Sequence, residues 1–171
     1  MPIGRADDVD RAVAIASEAF PIWSGASTHE RAAVLHGVAD AIDAHRDELA
    51  ELESRDQGKP LSLARDLEIP RAAANLRFFA DAIRQENGDF FDLGNQGLNY
   101  TLRRPRGVAG CISPWNLPLY LFTWKIAPAL ATGNTVVGKP SEVTPATAGR
   151  LGELAIEAGF PAGVLLSLIH I

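Results

Sequence analysis

The chain has 171 residues, of which 47% are hydrophobic and 22% charged, and 16 basic against 21 acidic residues give a formal net charge of -5. This globular composition excludes disorder, and 15 glycines and 11 prolines without a fixed period exclude collagen. Mild acidity without a basic cluster leads us to expect no nucleic-acid partner, and no apolar run approaches the roughly 18 residues that a membrane span needs. Because the lone cysteine, Cys111, excludes an internal disulfide, we expect the reducing cytoplasm as the location.

Helical periodicity predicts helices throughout the first half of the chain. Apolar side chains recur every three or four positions over residues 9–20, and we expect Pro21 to end this first helix. Ser27 and Glu30 have the spacing of a capping box, which predicts the start of a second helix that runs to Gly58.

A third helical segment is predicted over residues 61–88. Pro70 lies inside it, so we expect a kink or a fresh helix start there, and Gly88 is expected to cap its end. The three histidines of the second helix, His29, His36 and His45, are seven and nine positions apart. Because helical metal pairs are four apart, we expect no metal site.

After Gly88 the pattern changes from helices to a sheet. Residues 98–107 have the alternating composition of an exposed strand, and residues 107–112 form a short apolar run typical of a buried parallel strand. A helix over 119–133, a strand over 135–139 and a helix over 146–159 complete the prediction. Strand, helix, strand, helix indicates a right-handed crossover and a parallel sheet.

The loops 113–118 and 139–145 follow the two strands, at the sheet edge where such folds bind ligands. The Asn116 side chain can donate to a developing oxyanion, an interaction worth about 2.7 to 4 kcal/mol in a well-measured case. Asparagine is also a favoured helix cap, and the spacing alone favours capping over catalysis.

Lys139 and Glu142 follow the second strand and suit ribose hydroxyls or phosphate. A carboxylate beside the adenosine ribose would oppose a 2′-phosphate and so favour NAD over NADP. The same two residues could instead be a surface ion pair worth about 0 to 1 kcal/mol. No GxGxxG motif follows either strand, and the apolar run around Cys111 predicts a buried thiol that is a poor nucleophile.

Three segments, PWNLP at 114–118, WKIAPALATGNTVVGKPSEVTP at 124–145 and EAGFPAGV at 157–164, together resemble the aldehyde dehydrogenase superfamily. Within it, the stretch from YTLRRPRG onward is most similar to the hydroxymuconic and aminomuconic semialdehyde dehydrogenase branch. The resemblance implies an α/β fold in which amino-terminal helices precede part of a Rossmann-like parallel sheet, with NAD as cofactor, an aldehyde substrate and a homo-oligomeric assembly.

The resemblance also implies roles for individual residues. Asn116 matches the asparagine whose amide stabilises the oxyanion formed from the aldehyde, which reverses the preference for capping. Ser113 and Trp115 match positions on the adenosine and ribose side of the cofactor. Lys139 and Glu142 match the residues that hold the ribose hydroxyls.

Two further apolar positions, Leu117 and Trp124, match positions that line or support the aldehyde tunnel in some members. Core packing accounts for them nearly as well.

The resemblance divides the chain into four parts. Residues 1–88 are expected to form the helical portion of the cofactor domain, 89–106 a connecting strand region and 107–165 a partial NAD-binding core with a βαβα order. Residues 166–171 depart from the family pattern and are expected to be a tail foreign to it.

In this family the nucleophilic cysteine and the general-base glutamate come downstream of KPSE, beyond this sequence. We therefore expect about a third of an enzyme, inactive by itself, with an unpaired sheet edge and poor solubility. The alternative is a non-catalytic module that binds a dinucleotide or serves assembly.

Overall fold

The computed structural model describes residues 4–168 and confirms the expected α/β class; of the expected tail, residues 169–171 lie outside the described part. The helices are α1 (Ala6–Gly25), α2 (Thr28–Ala44), α3 (Arg46–Gln57), α4 (Leu61–Leu63), α5 (Ile69–Ile83), α6 (Pro118–Ala131) and α7 (Ala146–Glu157). The strands are β1 (Phe90–Asp92), β2 (Leu98–Tyr100), β3 (Val108–Ile112), β4 (Thr135–Lys139) and β5 (Leu165–Ser167). None of the described helices combines the length and the apolarity that a membrane span requires.

Helix α1 continues past Pro21, so the prediction that this proline ends the helix is wrong. Proline removes one backbone hydrogen bond, but a helix survives where tertiary contacts hold its next turn. Trp23 supplies such a contact, because its ring is buried and its indole N–H donates to the carbonyl of Leu130 at 3.0 Å.

The predicted capping box at the start of α2 is confirmed. The Ser27 hydroxyl accepts from the amide of Glu30 at 3.2 Å, and the Glu30 carboxylate accepts from the amide of Ser27 at 2.7 Å. The single predicted helix is divided at His45, whose φ of -106° and ψ of 25° separate α2 from α3. Gly58, with a φ of 77°, ends α3 as predicted.

An irregularity at Pro70 is confirmed, but it is not a fresh helix start, because Glu68 and Ile69 before the proline have right-handed helical φ and ψ. A π-helical turn, Ala64–Glu68, joins α4 to α5 directly ahead of Pro70, and such π turns are a usual site of helix irregularity next to a proline. Gly88 does not cap this helix, because α5 ends at Ile83. Instead Gly88 passes close to the next segment, where an added Cβ would lie 2.5 Å from the Thr101 carbonyl oxygen.

Of the exposed strand predicted over residues 98–107, only Leu98–Tyr100 forms a strand, β2, which pairs antiparallel with β1. Both strands of this hairpin are exposed along their whole length.

A second sheet has the order β3, β4, β5, and both pairings are parallel. Strand β4 is central and buried over four of its five residues, as predicted. Strand β3 is an edge strand in which Cys111 alone is buried, so the prediction of a fully buried strand is wrong. Strand β5, which the sequence analysis did not predict, pairs Leu165 with Val136.

The two faces of the parallel sheet are covered by different helices. Because successive side chains of a strand point to opposite faces, Val136 and Val137 of β4 belong to different clusters. Val136 lies in the main core with residues of α6 and α7, and Val137 packs with Ala12 and Ala16 of α1. Helix α6 connects β3 to β4, and α7 connects β4 to β5. Because these helical connections join parallel strands, the carboxyl ends of all three strands lie at one edge of the sheet.

Gly138 marks the closest approach of β4 to α6. A Cβ added there would lie 2.5 and 2.6 Å from ring atoms of Phe122, a side chain that is 1% exposed. We predict that Gly138→Ala lowers the free energy of unfolding by about 1–3 kcal/mol, because the buried Phe122 ring must shift to make room for the added methyl group. Gly110→Ala in β3 is the matched control, since a Cβ there meets no described atom within 4 Å. Equal urea midpoints for the two variants would contradict this packing.

Candidate functional site

The ends of β3 and β4 lie side by side. The amide of Ser113, the first residue after β3, donates to the carbonyl of Lys139, the last residue of β4, at 3.1 Å. Along the other side of β4, the amide of Leu168 donates to the carbonyl of Gly138 at 2.8 Å. The loops 113–117 and 140–145 therefore leave the same edge of the sheet, which we call the carboxyl edge.

Three buried hydroxyl groups near the carboxyl edge lack a partner among the described residues: Ser113 Oγ, Thr144 Oγ1 and Ser167 Oγ. Ser113 follows β3, Thr144 lies in the loop after β4, and Ser167 ends β5. Buried polar groups are nearly always hydrogen-bonded in native proteins. These hydroxyls are therefore suited to bind a polar ligand or ordered water at this edge.

Asn116 does not cap the following helix. Leu117 is the residue before α6, and it provides no side-chain cap. The side chain of Asn116 is exposed and makes no hydrogen bond to any residue in 4–168, so its amide remains available as a donor. The neighbouring Trp115 ring is 58% exposed on the same loop.

Lys139 and Glu142 form an ion pair in which the lysine Nζ lies 3.1 Å from the Glu142 Oε2. Their side chains are 21% and 45% exposed, so the pair lies at the surface and contributes little to stability. The sequence suggested two interpretations of Lys139 and Glu142, a surface ion pair and a ribose site. The two are compatible, because the ion pair presents both a cation and a carboxylate to a ligand at the carboxyl edge.

The two positions linked to an aldehyde tunnel lie in the Asn116 loop and in α6, and they differ in burial. Leu117 is half-buried, directly before α6. Trp124 is 51% exposed and packs edge-on against Tyr120, with ring centroids 5.5 Å apart.

Cys111 has the environment that the sequence predicted. Its side chain is 8% exposed and its Sγ lies 3.6 Å from the carbonyl oxygen of Lys125. Burial raises the pKa of the thiol, which disfavours the nucleophilic thiolate. Within residues 4–168 no three metal-binding side chains come together, so the histidines of α2 and its boundary form no cluster there.

A buried charge cluster beneath the Asn116 loop was missed by the sequence analysis. Lys59 Nζ contacts Glu53 Oε1 at 3.1 Å and also bonds to Glu68, and each of these side chains is at most 7% exposed. Glu53 Oε2 accepts from the amide of Leu119 in α6 at 3.1 Å. Burial, together with a hydrogen bond to Glu68, raises the pKa of Glu53 to about 7.

A sequence signal for this cluster did exist. Glu53 lies four residues after the buried Leu49, on the apolar face of α3, where an unpaired carboxylate would be costly. Such a position predicts a buried partner, and Lys59 in the segment GKP is the nearest lysine.

An open cleft of about 620 Å³ lies away from these loops. It is lined by residues that include Arg31, Glu86, Arg106 and Asn134, the last of which directly precedes β4. This cleft therefore lies by the amino end of β4, whereas parallel sheets bind ligands at the carboxyl ends of their strands. We take the carboxyl edge as the candidate site.

Comparison with known proteins identifies the class to which this fold and edge belong. The model of the aldehyde dehydrogenase family matches residues 1–170. The chain belongs to the aldehyde dehydrogenase family, as the sequence resemblance predicted.

Two relatives and one solved structure illustrate the similarity. The chain is 54% identical over 166 residues to 2-aminomuconic semialdehyde dehydrogenase of Danio rerio, covering 96% of this chain and 34% of the relative. It is 53% identical over 172 residues to 2-hydroxymuconic semialdehyde dehydrogenase of Pseudomonas sp. strain CF600, covering 98% and 35%. The NAD+ complex of aldehyde dehydrogenase from Bacillus cereus matches with a TM-score of 0.95 and 40% identity, over 99% of this chain and 35% of that one.

These relatives confirm the similarity to the muconic semialdehyde branch. The chain spans about a third of the length of the relatives it matches.

The raised pKa of Glu53 generates a prediction on stability. The folded protein holds this proton up to about pH 7, while the unfolded chain releases it near 4.5, so stability falls as pH rises between these values. Glu53→Gln keeps an acceptor for Leu119 and removes the titration. We expect its free energy of unfolding to fall less than that of the parent chain from pH 5 to 8 in urea titrations.

Glu51→Gln, an exposed position on the same helix, is the control and should follow the parent at every pH. Parallel pH profiles for Glu53→Gln and the parent would contradict the raised pKa of Glu53.

Proposed function

We propose that the protein containing these residues oxidises an aldehyde to the carboxylic acid with NAD, and that this chain supplies the adenosine side of the cofactor site and one oxyanion donor. The observation that carries the proposal is the meeting of the Asn116 loop and the Lys139–Glu142 pair at one sheet edge, joined by the Ser113–Lys139 hydrogen bond. Family membership supplies the reaction class.

The residues at the carboxyl edge fit an NAD molecule. Lys139 and Glu142 would hold the hydroxyls of the adenosine ribose, where the carboxylate opposes the 2′-phosphate of NADP. Ser113, whose buried hydroxyl has no partner among the described residues, and the exposed Trp115 ring would contact the adenosine side. When bound, NAD supplies the hydride acceptor.

Asn116 would act on the substrate. Its side-chain amide is exposed and donates to no described group, so it can meet the negative oxygen that develops when a nucleophile attacks the aldehyde. Hydrogen bonds from Gln57 to the carbonyls of Trp115 and Asn116 favour this role, because an oxyanion donor stabilises charge best when it does not have to reorganise.

We propose a muconic-type semialdehyde as the substrate, with Leu117 and Trp124 on the aldehyde side. The support is the names of the relatives at 54% and 53% identity. A cytoplasmic location, consistent with the single free thiol, and a homo-oligomeric enzyme complete the proposal.

For the 171 residues alone, we propose dinucleotide binding without turnover. The observation favouring this second candidate is Cys111, the sole cysteine of the sequence, whose burial and raised pKa make it unsuited to attack an aldehyde. Slow alkylation of Cys111 in the folded chain would agree with this, and fast stoichiometric alkylation at neutral pH would contradict it.

The cofactor proposal predicts saturable binding of NAD to the chain. Calorimetric titration should give one site, and Lys139→Ala should raise the dissociation constant by about tenfold, because a charged hydrogen bond to the ribose is lost. Lys125→Ala is the matched control: it removes an exposed lysine of α6 that is no part of the carboxyl edge. Equal affinities for the two variants would contradict the assignment of Lys139.

The oxyanion proposal is tested in a chimera, with residues 1–164 replacing the matching segment of the Pseudomonas relative. We expect this enzyme to reduce NAD with 2-hydroxymuconic semialdehyde, and Asn116→Ala to lower kcat by about a hundredfold to a thousandfold. Asn99→Ala, in the exposed strand β2, should retain the rate of the chimera. An Asn116→Ala chimera as fast as its parent would exclude the oxyanion role.

A further inference from the structure

Three polar side chains at the end of α3 bind backbone groups next to the carboxyl edge. Gln57 binds the loop after β3, Glu53 binds the start of α6, and Asp56 binds the start of α7. They lie within the last five residues of α3, which form about one and a half turns. This part of α3 therefore contacts the segments that follow both β3 and β4.

Gln57 uses one nitrogen for two bonds. Its Nε2 donates to the carbonyl oxygens of Trp115 and Asn116, at 2.8 Å each. These two carbonyls belong to the peptide groups on either side of the Asn116 Cα, and each peptide group is planar. Holding both carbonyls therefore restricts φ and ψ of Asn116. The direction in which the Asn116 side chain leaves the backbone is thereby restricted.

Asp56 and Glu53 cap helices to which they do not belong. The first turn of a helix has amides without intrahelical acceptors, and a carboxylate there also suits the helix dipole. Leu117 and Pro145, the residues before α6 and α7, provide no side-chain caps of their own. Glu53 Oε2 accepts from the amide of Leu119 at 3.1 Å, and Asp56 Oδ2 accepts from the amide of Ala146 at 2.9 Å.

The two capped helix starts are the anchors of the site loops. Asn116 lies two residues before Pro118, where α6 begins, and Glu142 lies four residues before Ala146, where α7 begins. A shift of either helix start moves the corresponding loop relative to the end of β4. The α3 contacts thus fix the separation of the two loops without touching a ligand themselves.

We infer that Gln57 and Asp56 are positioning residues, which hold the Asn116 loop and the Glu142 loop in the arrangement that binds the dinucleotide and presents Asn116. The inference deepens the proposed function and, for its ligand, rests on it. Glu53 also binds a helix start from the end of α3, but it belongs to the buried charge cluster as well. Gln57 and Asp56 lie outside that cluster and therefore provide the clearer test.

The first measurement is amide hydrogen exchange in the ligand-free chain. Gln57→Glu removes both donated hydrogens at nearly constant shape, and we expect faster exchange at residues 113–121. Gln85→Glu is the matched control, because it makes the same change at an exposed side chain beyond α5. Its exchange in that segment should equal that of the parent.

The second pair of variants concerns the start of α7. Asp56→Ala should speed exchange at residues 142–149, whereas Asp56→Asn keeps an oxygen acceptor for the amide of Ala146 and should restore most of the protection. A general loss of stability would speed exchange in α1 as well, so α1 serves as the internal reference.

The final measurement is titration of the same variants with NAD. We expect Gln57→Glu and Asp56→Ala to raise the dissociation constant by about tenfold, and Gln85→Glu and Asp56→Asn to stay near the parent value. Unchanged exchange in both loops would overturn the inference whatever the affinity.

Altered exchange with unchanged NAD affinity would also overturn the inference, since the contacts would then be structural only. Failure of the parent chain to bind NAD would instead contradict the proposed cofactor site, and the exchange data from the ligand-free chain would still decide whether α3 holds the loops.

Discussion

Five residues of β3 pair in parallel with five of β4, from Val108 opposite Thr135 to Ile112 opposite Lys139, and this register determines where both site loops begin. If the register of β4 shifted by one residue, Val136 and Val137 would point to the opposite faces of the sheet. Each would then leave the hydrophobic cluster in which it is now packed. The absence of a side chain at Gly138 allows α6 to approach the strand closely. The same close packing places the Asn116 loop beside the end of β4.

Helix α3, in the helical first half of the chain, contacts the segments that follow β3 and β4 at the carboxyl edge. The end of α3 caps two helix starts and binds the Asn116 loop. Its buried carboxylate, Glu53, is paired with Lys59, and burial raises its pKa to about 7. Buried charges are costly unless they are paired and hydrogen-bonded. This cluster therefore places a charged network directly beneath the loop that carries the proposed oxyanion donor.

Most helices and strands could be predicted from the sequence, because their ends and their periodicity are determined by interactions between residues close in sequence. The capping box at Ser27, the left-handed glycine at Gly58 and the apolar strand at 135–139 behaved as predicted. Pro21 did not end α1, since a distant contact of Trp23 holds the next turn. Likewise β3 was predicted as buried, but within residues 4–168 it has a neighbouring strand on one side only, and the order of strands is not a local property of its sequence.

The candidate site was predictable only in part. Resemblance and loop position indicated Ser113, Trp115, Asn116, Lys139 and Glu142, whose roles in binding and catalysis stay predictions. The residues that hold these loops, such as Gln57 and Asp56, act across 58 and 90 positions of sequence. Local spacing cannot reveal such pairs, because the contacts form only after the sheet and the helices have packed.

An NMR titration of the chain with NAD tests most directly whether the carboxyl edge is the dinucleotide site. We expect the largest amide shifts at residues 113–116 and 139–144. Shifts confined to the cleft around Arg31 and Asn134, beside the amino end of β4, would contradict it.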